Sequence, residues 1–185
     1  SDENSEKLSQ PQVLIVGLGE SGFAMAKWCL LQGVQVRLVD TRQQEHLNAQ
    51  QHDWLSELKK LGLKEVVFEA TNWDSLLREV DILGISPGLS PIQEPCKTIL
   101  KICEEHNISV WSEIEFFARA LFALEKMALN SNSVYRPSIL AITGTNGKTT
   151  TSALTAQICE RAGKHVALAG NISPAALQKL ASVLD

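Results

Sequence analysis

Between residues 12 and 40 the chain runs strand, glycine turn, helix, strand, and that order leaves few folds open. Gln12–Val16 is a short apolar run, which reads as a buried strand. Gly17-Leu-Gly-Glu-Ser-Gly22 follows, a G-x-G-x-x-G at a strand-to-helix junction. Phe23–Gln32 continues as helix and stops at Gly33, and Val34–Val39 is a second strand that ends in Asp40. This βαβ context gives the glycines a physical job. Gly17 allows the tight turn, Gly19 lets the backbone approach a ligand, and Gly22 lets the helix pack on the strand. Asp40 can accept hydrogen bonds from a ribose or a base edge. The plainer alternative is a packing turn with no ligand. Thr41-Arg42 comes next, and Arg42 suits either a phosphate or carboxylate partner or a solvated loop.

Within Gln43–Leu61 the pattern is a loop then a helix, ended by Gly62. Leu63–Glu69 reads as a third strand, Trp73–Glu79 as a short helix and Asp81–Ser86 as a fourth strand. Ser86-Pro-Gly-Leu-Ser-Pro91 is then a turn, with Pro87 fixing the first corner and Gly88 expected at positive φ in the second. It leaves the carboxyl end of a strand, where open α/β sheets bind ligands, and it is either a phosphate contact or only a turn. Ile92–His106 reads as helix and Ile108–Trp111 as a fifth strand. Ser112-Glu-Ile-Glu115 is a capping box. It opens a long helix whose buried stripe is expected at Ile114, Phe117, Ala118, Leu121, Leu124 and Ala128. Asn130-Ser-Asn-Ser133 breaks the pattern, and a domain boundary is expected there.

A second glycine loop follows. Ile139–Ile142 reads as a buried strand, Thr143-Gly-Thr-Asn-Gly-Lys-Thr-Thr-Thr151 as a loop entering a helix over Thr149–Ala162, and Gly163 as its stop. Glycines turn N–H groups towards an anion, the helix start adds partial positive charge and Lys148 a full one, and a threonine hydroxyl can hold magnesium. The usual nucleotide loop has four residues between its glycines, which would put the first at Ile142; Gly144 and Gly147 are closer than that. His165–Ala169 reads as another strand. Gly170-Asn171 follows, and Asn171 is either a cleft-facing hydrogen-bonding group or a turn residue. Pro174–Leu184 reads as helix. The 137–185 segment is too short for a sheet with a sizeable core of its own, so further chain is expected to complete it.

Composition removes several classes of function. A net charge of -4 offers nothing to a nucleic-acid backbone. No apolar run reaches membrane-spanning length and Ser1–Gln10 is too polar for a signal peptide, so the expected location is cytoplasmic. Cys29, Cys96, Cys103 and Cys159 form no Cys-x-x-Cys and read as reduced core residues. The four histidines show no metal spacing.

These motifs, in this order, resemble the Mur ligases. The resemblance rests on Thr143–Thr151, Gly170-Asn171, Gly17–Gly22, Asp40-Thr-Arg42, Ser86-Pro-Gly88 and Ser112-Glu-Ile-Glu-Phe116, and within the family it points to the D-glutamate-adding branch. It implies an α/β chain, with a Rossmann-like parallel-sheet N-terminal domain followed by the first part of a P-loop-type ATP-binding domain. The expected division is a leader at 1–11, a UDP-sugar-binding domain at 12–133 and the start of the ATP-binding domain at 137–185. The implied reaction joins D-glutamate to UDP-N-acetylmuramoyl-L-alanine, using ATP and Mg²⁺, in a monomer. By the same resemblance Asp40, Thr41 and Arg42 contact the uracil side, Glu20 and Ser21 lie against the nucleotide beside Gly19, and Ser86, Pro87, Gly88 and Asn171 line the diphosphate. Thr41 and Arg42 also approach D-glutamate. Gly144, Thr145, Asn146, Gly147, Lys148, Thr149 and Thr150 hold ATP, with Lys148 on the β/γ phosphates and Thr149 on Mg²⁺. Glu20 stands where the family often has an apolar residue. The implied downstream parts of the reaction lie outside these residues, so this stretch alone is expected to be inactive. The rivals are an NAD-dependent oxidoreductase, which leaves the second loop unexplained, a non-catalytic nucleotide-binding regulator, and another amide ligase of the same kind.

Overall fold

A computed structural model describes residues 10–130, 137–170 and 173–184. The chain divides into two compact units, Ser1–Glu113 and Ile114–Asp185, and each is taken by itself.

The first unit is built on a five-stranded sheet in the order β3-β2-β1-β4-β5. The strands are β1 (Val13–Val16), β2 (Val36–Asp40), β3 (Glu65–Phe68), β4 (Ile82–Ile85) and β5 (Ser109–Trp111), and every pairing is parallel. The α/β parallel-sheet expectation therefore holds here. β1 is central and wholly buried, as a continuous Val-Leu-Ile-Val run requires when both faces are covered. Leu14, Val16, Val39 and Leu83 pack on one face with Trp73 and Leu77 of α3 (Trp73–Leu77) and Ile99, Ile102 and Cys103 of α4 (Cys96–Glu105). Across the sheet, α1 (Glu20–Leu31) lies over β1, β2 and β4, and α2 (Ala49–Lys60) packs on α1. Phe23 and Trp54 stack between these two helices with ring centroids 5.2 Å apart. Burial pushes the Cys29 thiol up to about 12 and Cys103 to about 11, which keeps both protonated and inert.

The strand order makes β1 a switch point. The chain steps outward from β1 to β2 and β3, then returns to the other side of β1 for β4 and β5. Loops leaving β1 and β4 therefore diverge at one edge of the sheet, and the crevice between them is where such sheets take ligands.

The second unit departs from expectation. Its helices form: α6 (Lys148–Arg161) and α7 (Ala176–Leu184) follow the bulk of α5 (Glu113–Asn130). The strands expected at Ile139–Ile142 and His165–Ala169 do not; both segments are irregular. Ile139 is 57% and Leu140 67% exposed. A parallel strand is made by its hydrogen-bonded neighbours, and among the described residues these segments have none. The stripe expected on α5 is also corrected. Phe116 and Ala120 are buried, Phe117, Leu121 and Leu124 half-buried, and Ile114 and Ala118 exposed, while the Ala128 side chain lies outside the described residues; apolar residues surround this helix on several sides and the period alone does not choose among them.

Candidate functional site

The carboxyl ends of β1, β2 and β4 lie level. Val16 pairs with Val39 on one side and Ile85 on the other, so Gly17, Asp40 and Ser86 emerge side by side. Ser86 Oγ donates to the Gly17 carbonyl at 3.3 Å. The Gly17–Gly22 turn thus sits between the other two expected contact segments, and Gly19, Glu20, Ser21, Asp40, Thr41, Arg42, Ser86, Pro87 and Gly88 share one edge of the first unit.

The turn's glycines answer to different demands. A Cβ on Gly22 would lie 1.8 Å from the Gly17 carbonyl oxygen, so only glycine lets α1 start this close to β1. A Cβ on Gly19 would meet nothing within 4 Å, and Gly19 has an ordinary φ of -100°. Nothing in the protein requires glycine there. No side chain caps α1 at Gly19 either.

Asp40 is 1% exposed and its acceptor positions are filled by the protein. The Leu18 N–H donates to Oδ2 at 2.7 Å, the Arg42 N–H to Oδ1 at 2.9 Å, and the Arg42 guanidinium to both oxygens at 2.8 and 2.7 Å. Four bonds are about the capacity of an ionised carboxylate. Burial pushes this carboxyl up, but the Arg42 and Leu18 hydrogen bonds and the Arg42 charge outweigh it, holding Asp40 below the usual carboxylate value. Arg42 in turn is raised, first by its hydrogen bonds to Asp40. Its Nη2 also donates to the Leu18 carbonyl at 3.2 Å. Nη1 has no protein partner among the described residues, and the side chain is 42% exposed. Asp40 therefore works as an anchor in this arrangement, while Thr41 and the outer edge of Arg42 face solvent.

One member of this network was not singled out from the sequence. Gln51 is 6% exposed, and its Nε2 donates to the Leu18 carbonyl at 2.8 Å. Its Oε1 accepts from the Asn48 N–H, and Asn48 Oδ1 accepts from the Gln51 N–H, completing a capping box on α2. Asn48-x-x-Gln51 is a legible capping pattern; it was hidden in a stretch read only as loop and helix.

The Ser86–Leu89 turn forms, with the Leu89 N–H donating to the Ser86 carbonyl at 3.1 Å. Gly88 is not at positive φ, contrary to expectation. A type I turn takes proline at its first corner and any residue at its second.

In the second unit the Gly144–Thr150 loop ends as the sequence indicates. Gly147 stands at φ 73° immediately before α6, whose start has no side-chain cap. The Lys148 ammonium folds back to donate to the carbonyls of Gly144 and Thr145, and Thr149 and Thr150 are exposed. Uncapped N–H groups, a lysine at the rim and free hydroxyls fit a magnesium-bound triphosphate. Asn171 lies outside the described residues. Among the described residues no three His, Cys, Asp or Glu side chains cluster as a metal site, and no helix is long and apolar enough to cross a membrane.

The first unit is a parallel α/β sheet with a glycine turn at its switch point, and a second glycine turn opens α6 in the second unit. Comparison with known proteins makes the class specific. The family model "Mur ligase MurD-like, N-terminal domain" matches residues 11–110 and "Mur ligase middle domain" matches residues 142–183. The chain belongs to the Mur ligase family, on its MurD-like side. Proteins named UDP-N-acetylmuramoylalanine--D-glutamate ligase are similar to it. Those of Burkholderia multivorans and Paraburkholderia phymatum are each 46% identical over 95% of the chain, covering 33% and 32% of the relative. That of Cupriavidus metallidurans is 45% identical over 96% of the chain and 33% of the relative. The chain therefore spans about a third of the length of the curated relatives it matches. Among solved structures, "AtPrR2 in apo form" reaches a TM-score of 0.45 at 20% identity, over 56% of this chain and 38% of that one, which is too slight to argue from.

Proposed function

We propose that the chain is the UDP-sugar-binding part, with the beginning of the ATP-binding part, of an ATP-dependent ligase that joins D-glutamate to UDP-N-acetylmuramoyl-L-alanine. The observation that carries it is the pair of uncapped helix starts behind glycine turns, at Gly19 and Gly147, in a chain matched by both Mur ligase family models. The domains run over 12–133 and 137–185, behind a leader at 1–11, in a cytoplasmic monomer. Nucleic acid and membrane are not partners.

In this reading Gly19, Glu20 and Ser21 face the nucleotide, Thr41 and Arg42 meet the uracil side and the incoming amino acid, and Ser86, Pro87, Gly88 and Asn171 follow the diphosphate. Asp40 acts behind them by fixing Arg42. The Gly144–Thr150 loop takes ATP. The substrate carboxylate attacks the γ-phosphorus, ADP leaves, and an acyl phosphate forms. The amine of D-glutamate then attacks the acyl carbon, losing a proton as phosphate departs and the amide is made. Two anions must meet in the first step. Lys148, released from the loop carbonyls, neutralises the transferring phosphate. Bound Mg²⁺, held through the Thr149 hydroxyl, supplies further charge neutralisation.

The dinucleotide alternative needs a free acceptor at the end of β2 for a ribose, and Asp40 has none to spare. Two measurements test the reading. UDP-N-acetylmuramoyl-L-alanine is expected to raise the melting temperature and NADH to leave it unchanged. Lys148→Ala in the full-length protein is expected to abolish amide formation while leaving UDP-sugar binding intact. Stabilisation by NADH alone, or unimpaired activity of the Lys148 variant, overturns it.

A further inference from the structure

We propose that Gln51 is a positioning residue that aims the Gly19 N–H at the bound nucleotide. The inference deepens the UDP-sugar reading and rests on it. Both peptide planes flanking Leu18 are tied down. The N–H of the first is held by Asp40 at 2.7 Å, and the carbonyl of the second by Gln51 at 2.8 Å and Arg42 at 3.2 Å. In a planar trans peptide the carbonyl and the following N–H point in opposite directions. Drawing the Leu18 carbonyl inward to Gln51 therefore turns the Gly19 N–H outward.

Three observations favour a ligand there. The Gly19 N–H has no protein partner among the described residues. The space a side chain on Gly19 would take is empty to 4 Å. The helix start behind it has no side-chain cap. An amide donor left without a protein acceptor, on a turn made rigid by buried side chains, is set up for an anionic or carbonyl oxygen supplied from outside. Gln51 is suited to hold it because α2 fixes the glutamine in turn. Its second polar atom accepts the Asn48 N–H at 3.0 Å, so the amide cannot flip without losing its half of the capping box.

That double duty gives a clean test in the full-length protein. Gln51→Met removes the donor to Leu18 and weakens the cap. Asn48→Ala weakens the same cap but leaves the donor. Initial rates are measured against UDP-N-acetylmuramoyl-L-alanine and against ATP, with melting temperatures alongside. Gln51→Met is expected to raise KM for the UDP-sugar about tenfold, the size of one well-made hydrogen bond, with kcat and the KM for ATP unchanged. Asn48→Ala is expected to leave all three within about twofold at a similar loss of melting temperature. Equal KM increases in both variants, no increase in either, or a fall in kcat alone overturns the proposal. If Gln51→Met does not fold, Gln51→Glu replaces it, since a carboxylate still caps α2 but brings no amide donor; the same outcomes apply. No turnover by the unaltered protein with the UDP-sugar sinks the functional reading as well, which separates the two failures.

Discussion

The chain writes the same sentence twice, an apolar run, a glycine turn and a helix, and the two copies come out differently. At Val13–Val16 the run is a central strand whose four residues are at most 3% exposed. At Ile139–Ile142 it is irregular, and on α6 Leu154 and Ile158 are 54% and 67% exposed. Yet the glycine turn and helix start form in both, with Gly147 at φ 73° and Lys148 opening α6. The turn and the helix start are local, set by backbone freedom and by bonds within a few residues. A parallel strand is not, because every ladder bond it makes belongs to a neighbour. A glycine corner is therefore only as rigid as the sheet behind it.

The sharpest way to break that comparison is to collapse the framed corner. Gly22→Ala puts a methyl 1.8 Å from a backbone oxygen, and denaturant unfolding is expected to show a loss of more than about 3 kcal/mol. A smaller loss means α1 can slide off β1, and the corner is less rigid than claimed. Asp40→Ala comes next. It strands the buried Leu18 N–H and loosens Arg42, and removing one partner of a buried pair costs about 3–5 kcal/mol. Discounted because the Arg42 side chain is 42% exposed, about 2 kcal/mol is expected. The sign of its pH dependence follows from the depressed Asp40 pKa. The contribution is complete above the unfolded value near ~3.9 and lost as pH falls through the folded one. The gap between wild type and Asp40→Ala is thus expected to close in acid unfolding curves below about pH 4. Gly19→Ala has the smallest effect on stability, within about 0.5 kcal/mol, but is expected to weaken UDP-sugar binding about tenfold in calorimetric titration. Unchanged binding removes Gly19 from the site.

All five strands of the first unit were legible from short β-branched runs between turn residues, because each has the neighbours it needs. The helices were legible too, within a few residues at their ends. Ile139–Ile142 and His165–Ala169 are apolar runs too and failed as strands, since an apolar run records suitability for a sheet and says nothing of a partner. At the candidate site the residue types were readable, but the direction of their bonds was not. Asp40 reads as a ligand acceptor in the sequence, but in the fold its four acceptor positions are spent on Leu18 and Arg42. Gln51 escaped notice because a buried glutamine is recognised by what it touches, and it touches a carbonyl 33 residues away.

Calorimetric titration of this chain with UDP-N-acetylmuramoyl-L-alanine and, separately, with magnesium-ATP tests the central claim most directly. Saturable binding of the UDP-sugar, with ATP binding far weaker or undetectable, is the expected result, since among the described residues only the first corner has a sheet behind it. Tight ATP binding without UDP-sugar binding would contradict the account.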